Sequence, residues 1–221
     1  MTFDEEARTT FDAEDLKVCQ EALTLLRQDQ PLTLDELNDA DTANAVARKC
    51  RAVYEPARLE VLIGHDWNFA RREVAVRAAP GGRPGEFRFA MPAGAAKLVR
   101  VLGAGGEERL HWRVAEDVVF ADGLPAAAEY TEDVADAGRW HPLVRRAFVH
   151  CLARDLAIPV TGRQLDLKSM DALYQDKLKL AVLADAREEQ PDPWEEAYYP
   201  KAMRGGSPRR NFRFQISDLR R

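Results

Sequence analysis

A change of hydrophobic period limits this chain more than any other feature. Apolar residues recur every three or four positions as far as Leu62, every second position through residues 69–134, and every three or four again from Val144 onward. A period near 3.6 keeps one helix face apolar and a period of two keeps one strand face apolar, so the chain reads helix, strand, helix. In residues 12–28, Leu16, Cys19, Leu23 and Leu26 share a stripe, and Asp12 stands where a carboxylate caps the first amide groups. After Pro31 and Leu32-Thr33-Leu34, a second helix is expected near Asp39 or Asp41, carrying Ala43, Val46, Cys50, Val53 and Ala57 inward. Pro56 falls inside it. An interior proline costs about 3 kcal/mol through a lost hydrogen bond and a steric clash, which predicts a kink, or a break before Arg58.

The middle third alternates. Val74-Ala75-Val76, Phe87-Arg88-Phe89, and residues 97–102, 109–114, 118–121 and 127–134 are short runs separated by turn formers, among them Gly81-Gly82-Arg83-Pro84-Gly85 and Gly103-Ala104-Gly105-Gly106. This predicts a small antiparallel sheet. Helical spacing resumes at His141-Pro142, with proline suited to a first turn, and Val144, Phe148, Cys151, Leu152 and Leu156 on one face as far as Pro159. Thr161-Gly162 makes a turn. A last helix, residues 166–189, should place Met170, Leu173, Tyr174, Leu178 and Ala181 inward before Pro191-Asp192-Pro193 stops it. The expected fold class is α+β, mainly α: a four-helix bundle with an antiparallel β insertion between its second and third helices, and an extended C-terminal arm. In residue ranges, 1–68 supply the first two helices, 69–138 the insertion, 139–193 the last two helices and 194–221 the arm.

Composition narrows the function. The formal net charge is −5, but the segment from Ala197 onward holds seven basic residues and one acid, which leaves −11 for the rest. An acidic body argues against nucleic-acid binding by the chain as a whole. No stretch approaches the roughly 20 apolar residues of a membrane span. Residues 1–15 are acidic where a secretory signal is basic and then apolar, so the expected setting is the cytoplasm or a particle assembled there. Cys19, Cys50 and Cys151 are scattered along apolar stripes and read as small buried hydrophobes rather than a disulfide or zinc pattern. His65, His111, His141 and His150 never fall at the three- or four-residue spacing that puts two ligands on one metal. His150 and Cys151 are adjacent, so on a helix they point about 100° apart and do not form a nucleophile and base. The glycine runs lack the lysine and Ser/Thr of a phosphate loop. The expectation is a protein that is not an enzyme and takes no metal or cofactor.

Several local patterns stand out. The first helix ends in Leu25-Leu26 and is followed by Pro31-Leu32-Thr33-Leu34-Asp35-Glu36-Leu37, then Asp41-Thr42-Ala43-Asn44-Ala45. Tyr54, Arg58 and Leu62 lead into His65-Asp66-Trp67-Asn68-Phe69-Ala70, the most distinctive run. Residues 152–162, Leu-Ala-Arg-Asp-Leu-Ala-Ile-Pro-Val-Thr-Gly, and a charged helix with Tyr174 and Ala184-Asp185-Ala186-Arg187 complete the set. Over residues 12–190 this layout resembles the head-to-tail adaptor family of tailed bacteriophages, which includes the tail tubular A proteins. Pro56 and the long basic tail depart from the family's pattern. The resemblance implies a virion protein at the head-tail junction. Twelve copies would form a ring beneath the portal protein, receive a tail, nozzle or stopper protein below, and let DNA pass through a central channel without sequence-specific contact. In that reading Tyr54, Arg58, His65, Trp67 and Phe69 form a structural motif, and no membrane is involved.

A ring also follows from charge, because a heterologous contact needs two complementary faces on one subunit, and an acidic body with a basic arm has them. In the arm, Phe212, Phe214 and Ile216 alternate with Arg213 and Gln215, so an extended strand would be apolar on one side and suited to a sheet edge of the portal or an adjacent subunit. The residues expected to bind there are Tyr198, Tyr199, Lys201, Arg204, Arg209, Arg210, Phe212, Arg213, Phe214 and Ile216. The alternative is a nucleic-acid-binding arm, with arginines on phosphates and Phe212 or Phe214 stacked on bases. It predicts affinity that falls steeply with salt.

Overall fold

The computed structural model describes residues 10–28, 30–103, 109–162 and 167–188. Its helices are α1 (Ala13–Leu25), α2 (Leu34–Asn38), α3 (Ala45–Ile63), α4 (Pro142–Thr161) and α5 (Leu167–Glu188). Between α3 and α4 lie β1 (Arg71–Ala75), β2 (Ala79–Pro80), β3 (Glu86–Ala90), β4 (Ala95–Gly103), β5 (Trp112–Ala115), β6 (Val118–Asp122) and β7 (Pro125–Glu132), then a single 3-10 turn, Ala137–Arg139. The α+β class with strands inserted between two helical halves agrees with the periodicity. The details depart from it in five places.

The helices number five among the described residues, because Leu34–Asn38 forms a short helix of its own. Its start is fixed by a capping box: Thr33 accepts from the Glu36 amide, and the Glu36 carboxylate accepts from the Thr33 amide. The next helix therefore begins at Ala45, with the Asn44 side chain accepting from Val46 and Ala47. Pro56 does not end α3, which continues to Ile63. Both Pro56 and Ala52, four residues upstream, are exposed, where a carbonyl deprived of its amide partner can meet water, while Ala57, Arg58, Val61 and Leu62 beyond it are buried. That burial outweighs a cost of about 3 kcal/mol. Pro159 is likewise exposed and inside α4, which stops instead at Gly162, in the left-handed conformation at φ 64°. Leu173, expected inward, is 49% exposed; the inward face of α5 is Tyr174, Ala181 and Asp185.

The alternating region is two antiparallel sheets rather than one, ordered β1-β7-β4 and β2-β3-β6-β5. Phe89, Val119 and Ala121 of the second sheet form a small core with Leu98, Val101 and Ala128 of the first. The helices enclose a separate and larger core that includes Cys19, Cys50, Tyr54, Trp67, Phe148, Cys151 and Tyr174. All three cysteines are buried free thiols. Among the described residues no helix is long and apolar enough to cross a membrane.

Candidate functional site

The chain leaves the helices after Ile63 and re-enters them at Pro142, and the two crossings carry the densest side-chain chemistry of the molecule. Each is anchored by a tryptophan whose indole N–H donates to a carbonyl six residues upstream. Trp67 donates to Val61 at 2.9 Å and Trp140 to Val134 at 3.0 Å. A buried indole leaves its one donor unsatisfied unless a partner is built in, so these bonds fix where each ring lies. The rings then connect. His65 meets Trp67 edge-on at 4.8 Å, Trp67 stacks on Phe69 at 6.3 Å, and Phe69 reaches Trp140 at 5.9 Å. Trp140 continues to Phe148 (5.3 Å), Phe148 to Tyr54 (5.1 Å) and Tyr54 to Phe11 (5.2 Å). Seven rings thus run from the first crossing through α4 and α3 to the start of α1.

Three buried charges tie the elements on either side of this ladder. Arg58, 3% exposed on α3, donates from Nε to Glu55 at 2.7 Å, and from a terminal nitrogen to the Asp133 carboxylate and to the Val134 carbonyl at 3.2 Å. Burial alone would lower its pKa, but its hydrogen bond to Asp133 and the charge of Glu55 more than offset it, so the guanidinium stays charged. Asp185, 7% exposed near the end of α5, accepts from the Asn68 amide at 3.0 Å and faces His65 Nε2 at 3.2 Å, while the Asn68 side chain donates to the Asp185 carbonyl at 2.9 Å. Asp15 on α1 accepts from the Tyr54 hydroxyl and from the Asp12 amide at 2.9 Å. The second crossing is also joined to the first through Glu132, whose amide donates to the Ala70 carbonyl at 2.7 Å.

A second convergence lies between α3, α4 and α5. Ligand atoms of Glu60, Cys151 and Asp155 all lie within 4.8 Å of one another, a set able to hold a cation. Arg154 supplies that charge: it donates to both Glu60 oxygens (2.9 and 2.7 Å), to Asp155 (2.8 Å) and to Cys151 Sγ (3.5 Å), and lies 5.0 Å from the centre of the Tyr174 ring. The Arg154 hydrogen bond holds the Glu60 carboxyl below its usual range. Burial pushes the Cys151 thiol up to about 12 and raises the Tyr174 phenol as well. With Arg154 bonded to Glu60 on α3 and to Asp155 beside it on α4, and lying over the Tyr174 ring on α5, the arrangement braces three helices. A cleft of about 310 Å³ between the end of α1 and the start of α5 is lined by Leu25, Leu26, Met170, Leu173 and His150. Burial, and then the nearby Lys177 and Arg146 charges, lower the pKa of His150.

The five motif residues read from sequence meet in one place: Tyr54, His65, Trp67 and Phe69 are rungs of the ladder, and Arg58 clamps its side. Trp67 is buried in the helical core and Phe69 packs against it. Tyr198, Tyr199, Lys201, Arg204, Arg209, Arg210, Phe212, Arg213, Phe214 and Ile216 lie outside the described residues. Sequence reasoning missed Asp15, Asp133 and Trp140, and quoted Asp185 only within Ala184-Asp185-Ala186-Arg187, without its partners. A signal existed for two of them: Asp15 precedes Val18 and Cys19, and Asp185 follows Ala181, so each occupies an apolar-stripe position where a charge needs a built-in partner. No model of a known protein family matches the sequence, and none of the curated proteins is similar to it.

Proposed function

We propose that the chain is a structural adaptor of a tailed phage or prophage-like particle: a subunit of the ring that joins the portal protein to the tail and surrounds the DNA channel. The observation that carries the reading is the braced junction. Buried ionisable groups in the described residues are spent on joining elements, Arg58 to the second crossing, Asp185 to the first, and Arg154 to three helices. A protein whose task is to hold one ring against another needs such stiffness. Charge distribution adds to it. Residues 1–68 hold fifteen acidic and seven basic side chains, and Asp12, Glu21, Asp35, Asp39 and Asp41 are exposed, while the strongly basic segment is at the other end of the sequence. Oppositely charged parts of one chain allow a heterologous contact between neighbouring copies.

The test is to mix the full-length protein with purified portal rings from the same genome and measure association by sedimentation and electron microscopy. Rings of the chain seated on the portal are expected, together with loss of seating when residues 197–221 are removed. Absence of any association would refute the proposal. Salt-dependent binding to DNA in place of portal binding would establish the nucleic-acid reading instead.

A further inference from the structure

We propose that the free edge of β5 in one copy of the chain receives residues 212–216 of a second copy as an added strand. The inference rests on the adaptor reading only in taking the basic segment to be a fastening between subunits.

The argument starts from how the sheet edges are defended. A strand at an edge exposes unpaired N–H and C=O groups, and proteins blunt such edges with charges, proline, bulges or short length. Three of the four edges here carry such a device. β1 opens with Arg71, Arg72 and Glu73; β2 is two residues long and ends in Pro80; β4 is interrupted by irregular register at three points and is bridged at Leu102 by Arg109. β5 has neither proline nor bulge, and though it is short, its one charge, Arg113, is already taken up by Glu86 and the Phe120 ring. Its four residues, Trp-Arg-Val-Ala, pair with β6 in unbroken register, and all four are exposed. The Asp122 amide donates to the His111 carbonyl at 3.0 Å, so antiparallel alternation turns the backbone groups of Arg113 and Ala115 toward β6 and those of Trp112 and Val114 outward.

The side chains complete the case. Trp112 is paired with Ala121 and Val114 with Val119, and Ala121 and Val119 are fully buried in the core between the sheets. Trp112 and Val114 extend that apolar face to the edge and stop there, 38% and 42% exposed. One more strand with apolar side chains at every second position would cover them. Phe212, Phe214 and Ile216 have that spacing, about 6.6–6.8 Å between successive members, the same as between Trp112 and Val114. Arg213 and Gln215 would then lie on the opposite face with Arg113, which is held by Glu86 at 3.0 Å and by the Phe120 ring at 4.0 Å. The linker reaches a neighbour: residues 189–208 span up to roughly 70 Å when extended. The exposed acids beside β5 in the receiving copy, Glu116, Asp117 and Asp122, complement the arginines of the basic segment.

The experiment uses full-length protein seated on portal rings. A Val114→Cys chain is mixed with chains carrying Phe212→Cys, Phe214→Cys or Ile216→Cys, each with a different mass tag, and oxidised mildly; the native thiols are buried and stay out of the reaction. The expected result is a disulfide-linked pair with both tags at one or two of the three positions, and loss of that product when Trp112→Lys is added to the Val114→Cys chain. A chain carrying both cysteines that links only to itself overturns the choice of a second copy. No linkage with portal seating intact overturns this inference and leaves the adaptor reading standing. No linkage and no seating overturns both.

Discussion

Replacing Arg58 with methionine tests the junction most directly. The methionine keeps most of the apolar stem and removes the guanidinium, which is 4% exposed and joins Glu55, Asp133 and the Val134 carbonyl. Breaking a fully buried pair costs about 3–5 kcal/mol. Here the carboxylates left behind are not fully buried, Glu55 being 24% and Asp133 38% exposed, so both regain water. The Val134 carbonyl also keeps its bond from Trp140 at 3.0 Å. These two discounts bring the expected loss to about 2 kcal/mol, or a fall in Tm of about 4–8 °C for a chain of this size. Urea unfolding followed by tryptophan fluorescence should show a lower midpoint with an unchanged slope. A double-mutant cycle with Asp133→Asn isolates the pair and should give a coupling above about 0.5 kcal/mol. A loss below about 0.5 kcal/mol, or two single changes that simply add, would refute the claim that Arg58 fastens the second crossing to α3.

Four further outcomes follow. Arg27 closes α1 with φ 55°, its amide bonded to Thr24 and that of Gln28 to Leu23, a left-handed cap that favours glycine, so Arg27→Gly should stabilise by on the order of 0.5–1 kcal/mol in thermal unfolding. Gly162→Ala should do the reverse at the end of α4, where φ is 64°, costing about 1 kcal/mol by the same assay. The lowered pKa of Glu60 contributes stability that is fully present above the ordinary glutamate value of about 4.3 and is lost as pH falls through the folded value. The gap between wild type and Glu60→Gln should therefore be full at pH 7 and close in acid; a gap that persists at pH 2 contradicts the assignment. The lowered pKa of His150 means that below about pH 6.5 the unfolded chain takes up a proton that the folded chain resists, so His150→Gln should gain on wild type as pH drops from 7 to 5, measured by urea midpoints.

The broad architecture was legible because it rests on local periodicity: one turn of helix or one pair of strand residues reports its own face. What escaped was set by distant partners or by exposure. Alternation in residues 97–102 and 127–134 marks strands, but nothing local says that β7 sits between β1 and β4 while β6 sits between β3 and β5. One sheet was expected where pairing made two. The break allowed at Pro56 and the stop expected before Pro159 overrated local cost, since both prolines are exposed, where a lost hydrogen bond can be made good by water. Leu34–Asn38 was missed because five residues are too few to show a period; only its Thr33/Glu36 box announced it. The motif around Trp67 was legible as a group, yet its partner Asp185 lies 117 residues beyond Asn68 and is visible only as an acid on an apolar stripe.

Ring contacts and hydrogen bonds divide the work at the junction in a way that bears on function. Aromatic packing of Trp67, Phe69, Trp140 and Phe148 supplies much apolar burial but little direction, since offset and tilted ring pairs tolerate small slides at a cost below about 1.5 kcal/mol each. The bonds of Asp185 to Asn68, of Arg58 to Asp133 and Val134, and of the two indoles to Val61 and Val134 tolerate no such slide, because each fails within about half an ångström or a few tens of degrees. Burial thus makes the junction stable and the polar bonds make it single-valued. At both convergences in the described residues the ionisable groups are engaged in holding helices and crossings together. In the adaptor we propose, each subunit would present its edges at one fixed angle to identical neighbours, and a single-valued junction serves that role because an angular error repeated around a ring prevents its closure.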